Sequence, residues 1–464
     1  MKRLMISVCI LLLFLPCLQL KRLFASEIHQ PMIFDEEDEK GLYISGFIDL
    51  QYLKWNYRNS KENQVPLLAL VNENGTFSQN LFNIYFTFNA GKNLLAFAEI
   101  KFLYAPAATI QTVQYDMDGD GNIDPGIVYT FPYNNSYIDT QAAKFQYGSI
   151  CIERAYAEWN ALSYATIRFG RYLTPFGIWS QDHGAPVITS MKVPFLVSYP
   201  LPNVGMPQSQ TGVELLGRFF VNKSNLIIDY AVYVGNGVSN ADSTVEPGDK
   251  NKAVGGFLNL SLLSINNKID IDFGCSAYRG EQSILLYKGA NVSFIPSNDL
   301  SMINTNFSFD SSLERYSVKQ METAALVHIR ISINSLPVGG TFVLQGEGMR
   351  QWIEEKDDDR LVDPFTKLHI EADNYTFDVY YIQAEYQFWG MITPYFRYEW
   401  GKIGASNPQP ILLYKNANVY TAGLNVKPVP NFTVKCEWYR LDFSNPFNVN
   451  NDVDVYQTSV TLNF

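Results

Sequence analysis

The chain has 464 residues, a net charge of −11, 14% aromatic side chains (29 Tyr and 31 Phe among them) and only 17% charged residues. The acidic balance excludes a nucleic-acid surface, which needs a basic face. No stretch beyond the first 25 residues stays apolar for the roughly 18 positions of a membrane helix, so helical spanning is excluded as well. Yet charge lies below the roughly 25% of soluble domains, and mean hydropathy is close to zero, at −0.08. A β-barrel reconciles these values, because each strand shows only alternate residues to lipid.

Residues 1–25 read as a signal peptide. Lys2 and Arg3 give the positive start, Met5 to Leu20 the apolar run, and Leu23-Phe24-Ala25 a cleavage site before Ser26. Residues 26–41 then form a periplasmic lead, and 42–464 a transmembrane barrel.

The first strand, 42–55, sets Ile44, Ile48, Leu50 and Tyr52 against Ser45, Asp49 and Gln51. The second sets Phe82, Ile84, Phe86 and Phe88 against Asn83, Tyr85, Thr87 and Asn89. After a short turn at 90–93, the third opposes Ala96, Ala98, Ile100 and Phe102 to Glu99 and Lys101. This is the strand period of two; a helix would scatter these residues around its circumference. Further strands fall near 149–160, 165–172, 211–220, 226–234, 253–263, 268–278, 322–334 and 341–352. The rest lie near 377–388, 392–400, 419–426, 431–442 and 454–464, sixteen in all. The last alternates Tyr456, Thr458, Val460, Leu462 and Phe464 with Gln457, Ser459, Thr461 and Asn463.

Short turns and long connections alternate between these strands. That pattern predicts an all-β, sixteen-stranded antiparallel transmembrane β-barrel with short periplasmic turns, long extracellular loops and both termini on one side. The long connections exceed what a soluble sandwich normally tolerates. Unpaired backbone groups in lipid are costly, so the last strand must close on the first. Sixteen strands leave room for an aqueous channel. Trp55, Trp159, Trp352, Trp389, Trp400 and Trp438 sit at strand ends, where interfacial girdles belong. Cys151, Cys275 and Cys436 show no metal-ligand spacing and read as small, unpaired residues on outer strand faces.

The second long connection carries Asp116, Asp118, Asp120, Asn122 and Asp124 in a D-x-D-x-D-G-x-x-D pattern. Alternate carboxylates converge on a hard cation and Gly121 permits the sharp turn, which predicts a calcium loop without flanking helices; a solvated acidic turn is the alternative. The third long connection, 173–210, is apolar, poor in charge and stiffened by six prolines. Such a segment should pack against something, and the lumen wall is available, so an infolded third loop is expected. A cap on a neighbouring loop or a subunit contact is the alternative.

Strand parity turns Arg154, Arg168 and Arg218 inward beside that connection, which itself carries Asp182 and Lys192; Glu158 and Glu214 face inward with them. These seven are the predicted pore-lining residues. Inward acids are at least as many as inward bases, so the wall could carry a transverse field or paired bridges. No catalytic constellation is present: the four His are isolated, and G-x-S-x-G and P-loop patterns are lacking.

The run Arg168-Phe169-Gly170-Arg171-Tyr172-Leu173-Thr174-Pro175-Phe176-Gly177 resembles the strand-to-loop signature of outer-membrane porins related to the phosphate-selective O and P group. The resemblance implies a homotrimer in the outer membrane of a Gram-negative bacterium, surrounded by lipid. It implies diffusion of small hydrophilic solutes, with anions such as phosphate preferred. A surface barrel whose loops plug the lumen, serving as an adhesin or structural anchor, is the alternative of another class.

Overall fold

A computed structural model describes residues 40–57, 76–91, 93–103, 149–179, 184–194, 209–221, 225–237, 252–263, 268–288, 314–355, 361–362, 369–370, 375–405, 416–444 and 450–464. The chain divides into two units, Met1–Ile33 and Phe34–Phe464. The expected signal peptide and calcium loop lie outside the described residues.

The strands, in chain order, are β1 Gly41–Tyr57, β2 Thr76–Gly91, β3 Leu94–Leu103, β4 Ser149–Leu162, β5 Ala165–Leu173 and β6 Ser209–Val221. Then come β7 Leu226–Gly235, β8 Ala253–Leu263, β9 Ile269–Lys288, β10 Glu314–Leu336, β11 Gly340–Glu355, β12 Leu361–Val362 and β13 His369–Ile370. The last are β14 Tyr375–Gln387, β15 Ile392–Ala405, β16 Asn416–Val429, β17 Phe432–Ser444 and β18 Asn450–Asn463. Strands β12 and β13 pair only with each other. The other sixteen form one closed antiparallel barrel.

Closure is made by β1 against β18, in register from Phe47↔Asn463 to Tyr57↔Val453. Gly46 N donates to Phe464 O at 2.9 Å, and Phe464 N donates back to Gly46 O at 3.0 Å. No sheet edge is left for lipid to meet, as the expected pairing of the last strand with the first requires.

Alternation decides which residues face out. Ile150 and Phe220 are each 68% exposed, Ile44 58% and Val232 59%. In water this apolar shell would be an aggregation surface; in a bilayer it is the lipid contact. Aromatic rings band the outside near the long connections. Tyr380 stacks on Trp400 with centroids 4.9 Å apart, Tyr398 meets Tyr420 at 5.2 Å, and Trp438 Nε1 donates to Asp454 at 3.2 Å. Trp159 and Trp389 stand exposed at the short-turn end. Cys275 and Cys436 take part in no disulfide, and Cys436 Sγ accepts from Thr458 Oγ1 at 3.8 Å; the side chains of Cys151 and Trp55 are not among those described.

The interior has two levels. Towards the short turns it is polar, with Asp49, Asn83, Glu99, Arg168, Glu214, Gln345 and Lys435 buried there. Towards the long connections it is apolar. Tyr278, Leu326, Met349, Phe377, Val419, Leu441 and Val455 belong to one buried cluster there, joined by Phe176 of the third connection. One bulge matters to the wall. The β3–β4 register shifts between Glu99 and Ile100, which makes Glu153 an extra residue. Glu153 therefore joins Lys101 at 2.8 Å while Arg154 still reaches Glu99.

Candidate functional site

The third connection leaves β5 at Leu173 and crosses the barrel interior. A chain without regular structure carries backbone groups that need partners when buried. Here the barrel wall supplies them.

Gly177 N donates to Ser276 Oγ on β9 at 3.0 Å, and Ile178 N donates to Glu347 on β11. Gly177 sits at φ +70, and a Cβ there would lie 2.5 Å from Glu347 Oε1 and 3.0 Å from Leu326 Cδ1. Only glycine meets both demands. Trp179 Nε1 donates to Tyr381 OH on β14 at 2.5 Å, and its ring packs with Tyr381 and Ile188.

Residues 185–192 are held by side chains that bind main chain. Lys435 Nζ on β17 donates to the carbonyls of Ala185 at 2.7 Å, Ile188 at 2.6 Å and Ser190 at 2.9 Å. Lys427 Nζ and Asn425 Nδ2 on β16 donate to the carbonyls of Pro186 at 3.1 Å and Thr189 at 3.0 Å. Arg397 Nη1 on β15 donates to Ser190 Oγ at 3.1 Å and Lys192 O at 3.2 Å. Glu437 accepts from Met191 N at 3.1 Å. Lys192 is half-buried: desolvation holds its pKa below the ordinary lysine value, with the Glu437 charge opposing that fall.

The predicted arginines face inward, but carboxylates of adjacent strands hold them. Arg168 lies directly between Glu158 on β4 and Glu214 on β6. Its Nη2 is 3.0 Å from Glu158, its Nη1 2.5 Å from Glu214, and its guanidinium lies 4.4 Å over the Tyr156 ring. Arg154 Nε is 2.5 Å from Glu99, with its guanidinium 4.9 Å over Phe97. Arg218 pairs with Asp229. These are cross-strand pairs in a low-dielectric setting, where losing one partner matters more than having both. From Gly177 onward the connection bonds to β9, β11 and β14–β17. Lys192 is placed in the docked segment; Asp182 lies outside the described residues. Reasoning from alternation missed Tyr381, Ser276 and Lys427 as anchors, and it omitted Glu322 and Glu153 from the inward acids.

A closed sixteen-stranded barrel with an apolar outer shell and a polar inner wall has the architecture of an outer-membrane-type transmembrane β-barrel. No family model matches the sequence, and no curated protein does. Among solved structures the chain is similar to OmpT, an outer membrane protein of Vibrio cholerae, in a form lacking loop L8: 8% identity, 92% of this chain, 100% of that one, TM-score 0.47. It is similar to an anion-selective porin from Comamonas acidovorans: 9% identity, 92% and 100% coverage, TM-score 0.47. It is also similar to OccK1 of Pseudomonas aeruginosa: 10% identity, 91% and 98% coverage, TM-score 0.41.

Proposed function

We propose that the chain is an outer-membrane porin, a channel through which small hydrophilic solutes or ions diffuse passively. The observation that carries this reading is the third connection strapped across the closed interior by Lys435, Arg397 and Asn425. Sixteen strands enclose a water column, and a strap fixed at that depth narrows it. The purified protein in planar bilayers should give discrete conductance steps. Their absence would overturn the reading in favour of a loop-plugged adhesin or anchor. One observation favours that second reading: the inward collar near the long connections is almost fully buried, Phe377 and Val455 at 0%.

Anion or phosphate preference would draw on Arg154, Arg168 and Arg218, each of which is spent on a carboxylate. Reversal potential in a salt gradient reads the preference directly. A homotrimer would have a natural seam where Ala96 faces Ala157 and Ala98 faces Ala155 on the outward register of β3 and β4; light scattering in detergent tests it. Calcium at Asp116, Asp118, Asp120, Asn122 and Asp124 would brace an external loop. Calorimetric titration should show binding that Asp118→Asn abolishes. Export with removal of 1–25 predicts a mature terminus at Ser26, readable by mass.

A further inference from the structure

We propose that the lumen, near the long connections, holds a binding site for a small organic cation with an apolar body, centred on Glu322 of β10 and Gln351 of β11. The inference rests on the channel reading for its role as a solute site, but the site can be tested apart from conduction.

Strand alternation turns both side chains inward, and both are buried, at 1% and 0% exposure. Gln351 Nε2 donates to Glu322 Oε1. Glu322 Oε2 and Gln351 Oε1 have no hydrogen-bond donor among the described residues. Their neighbours along β11 and β14 are apolar. In register, Glu322 sits beside Ile353, and Gln351 lies between Ala324 and Phe377. Leu326, Met349 and Val379 follow on the next inward rung. All six apolar side chains belong to the one buried cluster.

Two acceptors, one of them charged, therefore stand without a hydrogen-bond donor among largely apolar side chains. The complementary ligand brings its own donor and positive charge, as a primary ammonium does, on a body that fits aliphatic and aromatic walls. A carboxylate or phosphate solute would meet the like charge of Glu322. Other inward acids differ: Glu99, Glu158 and Glu214 each have an arginine, whereas Glu322 has no ion pair among the described residues.

The test uses phenethylamine as probe, with 2-phenylethanol and phenylacetate as the neutral and anionic counterparts. Calorimetric titration of the full-length protein in detergent should show binding of phenethylamine alone. Glu322→Gln should weaken it by about tenfold or more, the size of one lost charge-assisted hydrogen bond. If that variant does not fold, Gln351→Leu, which removes the second acceptor, should weaken binding in the same direction. Phenylacetate or 2-phenylethanol binding as tightly as phenethylamine, unchanged affinity in a folded variant, or no phenethylamine binding by the folded protein would each overturn the proposal. Planar bilayers separate the two readings. Binding without conductance steps sinks the channel and leaves the site; steps without binding sink the site and leave the channel.

Discussion

Lys435 on β17 donates a hydrogen bond of 2.9 Å to the carbonyl oxygen of Ser190, a residue 245 positions earlier in the chain. Two further carbonyls, of Ala185 and Ile188, converge on the same ammonium. One buried cation thus fixes a full turn of irregular chain to the far wall. Substitution Lys435→Met keeps the volume but removes all three donors. Stability should fall by about 2–4 kcal/mol in urea unfolding, because buried carbonyls lose their partner. Single-channel conductance should rise severalfold as the strap leaves the lumen. Unchanged conductance in a folded variant would show that the strap does not set the width of the pore.

The Glu158–Arg168–Glu214 triad makes a different demand. Each member is at most 3% exposed at its side chain, and Arg168 is what keeps two carboxylates from facing each other uncompensated. Arg168→Met should destabilise the barrel by about 3–5 kcal/mol, the size seen when one partner of a buried pair is removed. Adding Glu158→Gln and Glu214→Gln to that variant should restore most of the loss, since the orphaned charges go with it. Heat-dependent gel mobility of the single and triple variants gives the comparison. Failure of the triple variant to recover would assign Arg168 a packing role over Tyr156 instead.

The barrel was legible because lipid on one side and buried polar groups on the other impose the period of two along every strand. Inward positions of Arg154, Arg168 and Arg218 followed from parity alone. Legibility failed where that period stops. Strand β9 was expected to end near 278 but runs to Lys288, and β10 begins at Glu314 rather than near 322. The β9–β10 ladder simply continues past those points, from Glu322↔Gly280 to Glu314↔Lys288. Glu153 escaped because a bulge adds one residue and shifts parity locally. The hairpin of β12 and β13 has two residues per strand, too few for any period. The strap's apolar content showed that it packs; which side chains hold it depends on contacts about 100 to 250 residues apart, which no local pattern encodes.

Lys192 gives the strap a pH dependence. Burial lowers its folded pKa below the ordinary lysine value, and Glu437 only partly offsets this. Between the lowered value and the ordinary one of about 10.4, the unfolded chain holds a proton that the folded state does not, so stability rises with pH through that window. Below the window both states are protonated, and the folded state bears the full burial penalty. Urea midpoints measured from neutral to alkaline pH should therefore climb in the native protein. Lys192→Met should flatten that rise. A slope of equal size in the variant would place its origin in another group.

Gly177 is where the strap turns into the lumen, and two separate restrictions meet there. Its φ of +70 is strained for any residue with a Cβ, and a Cβ would press on Glu347 and Leu326. Gly339, in the short turn before β11, has a similar φ of +63 with nothing within 4 Å. The two glycines separate strain from crowding. Gly339→Ala should cost about 1–2 kcal/mol from backbone strain alone and leave the strap in place. Gly177→Ala should cost more, because Glu347 must move while it accepts from Ile178 N. The loosened strap should then expose Lys192, so that brief trypsin treatment cuts after Lys192 in Gly177→Ala but not in Gly339→Ala or the native chain. Equal resistance in all three would mean that the bonds from Lys435 and Arg397 hold the strap without help from its entry turn.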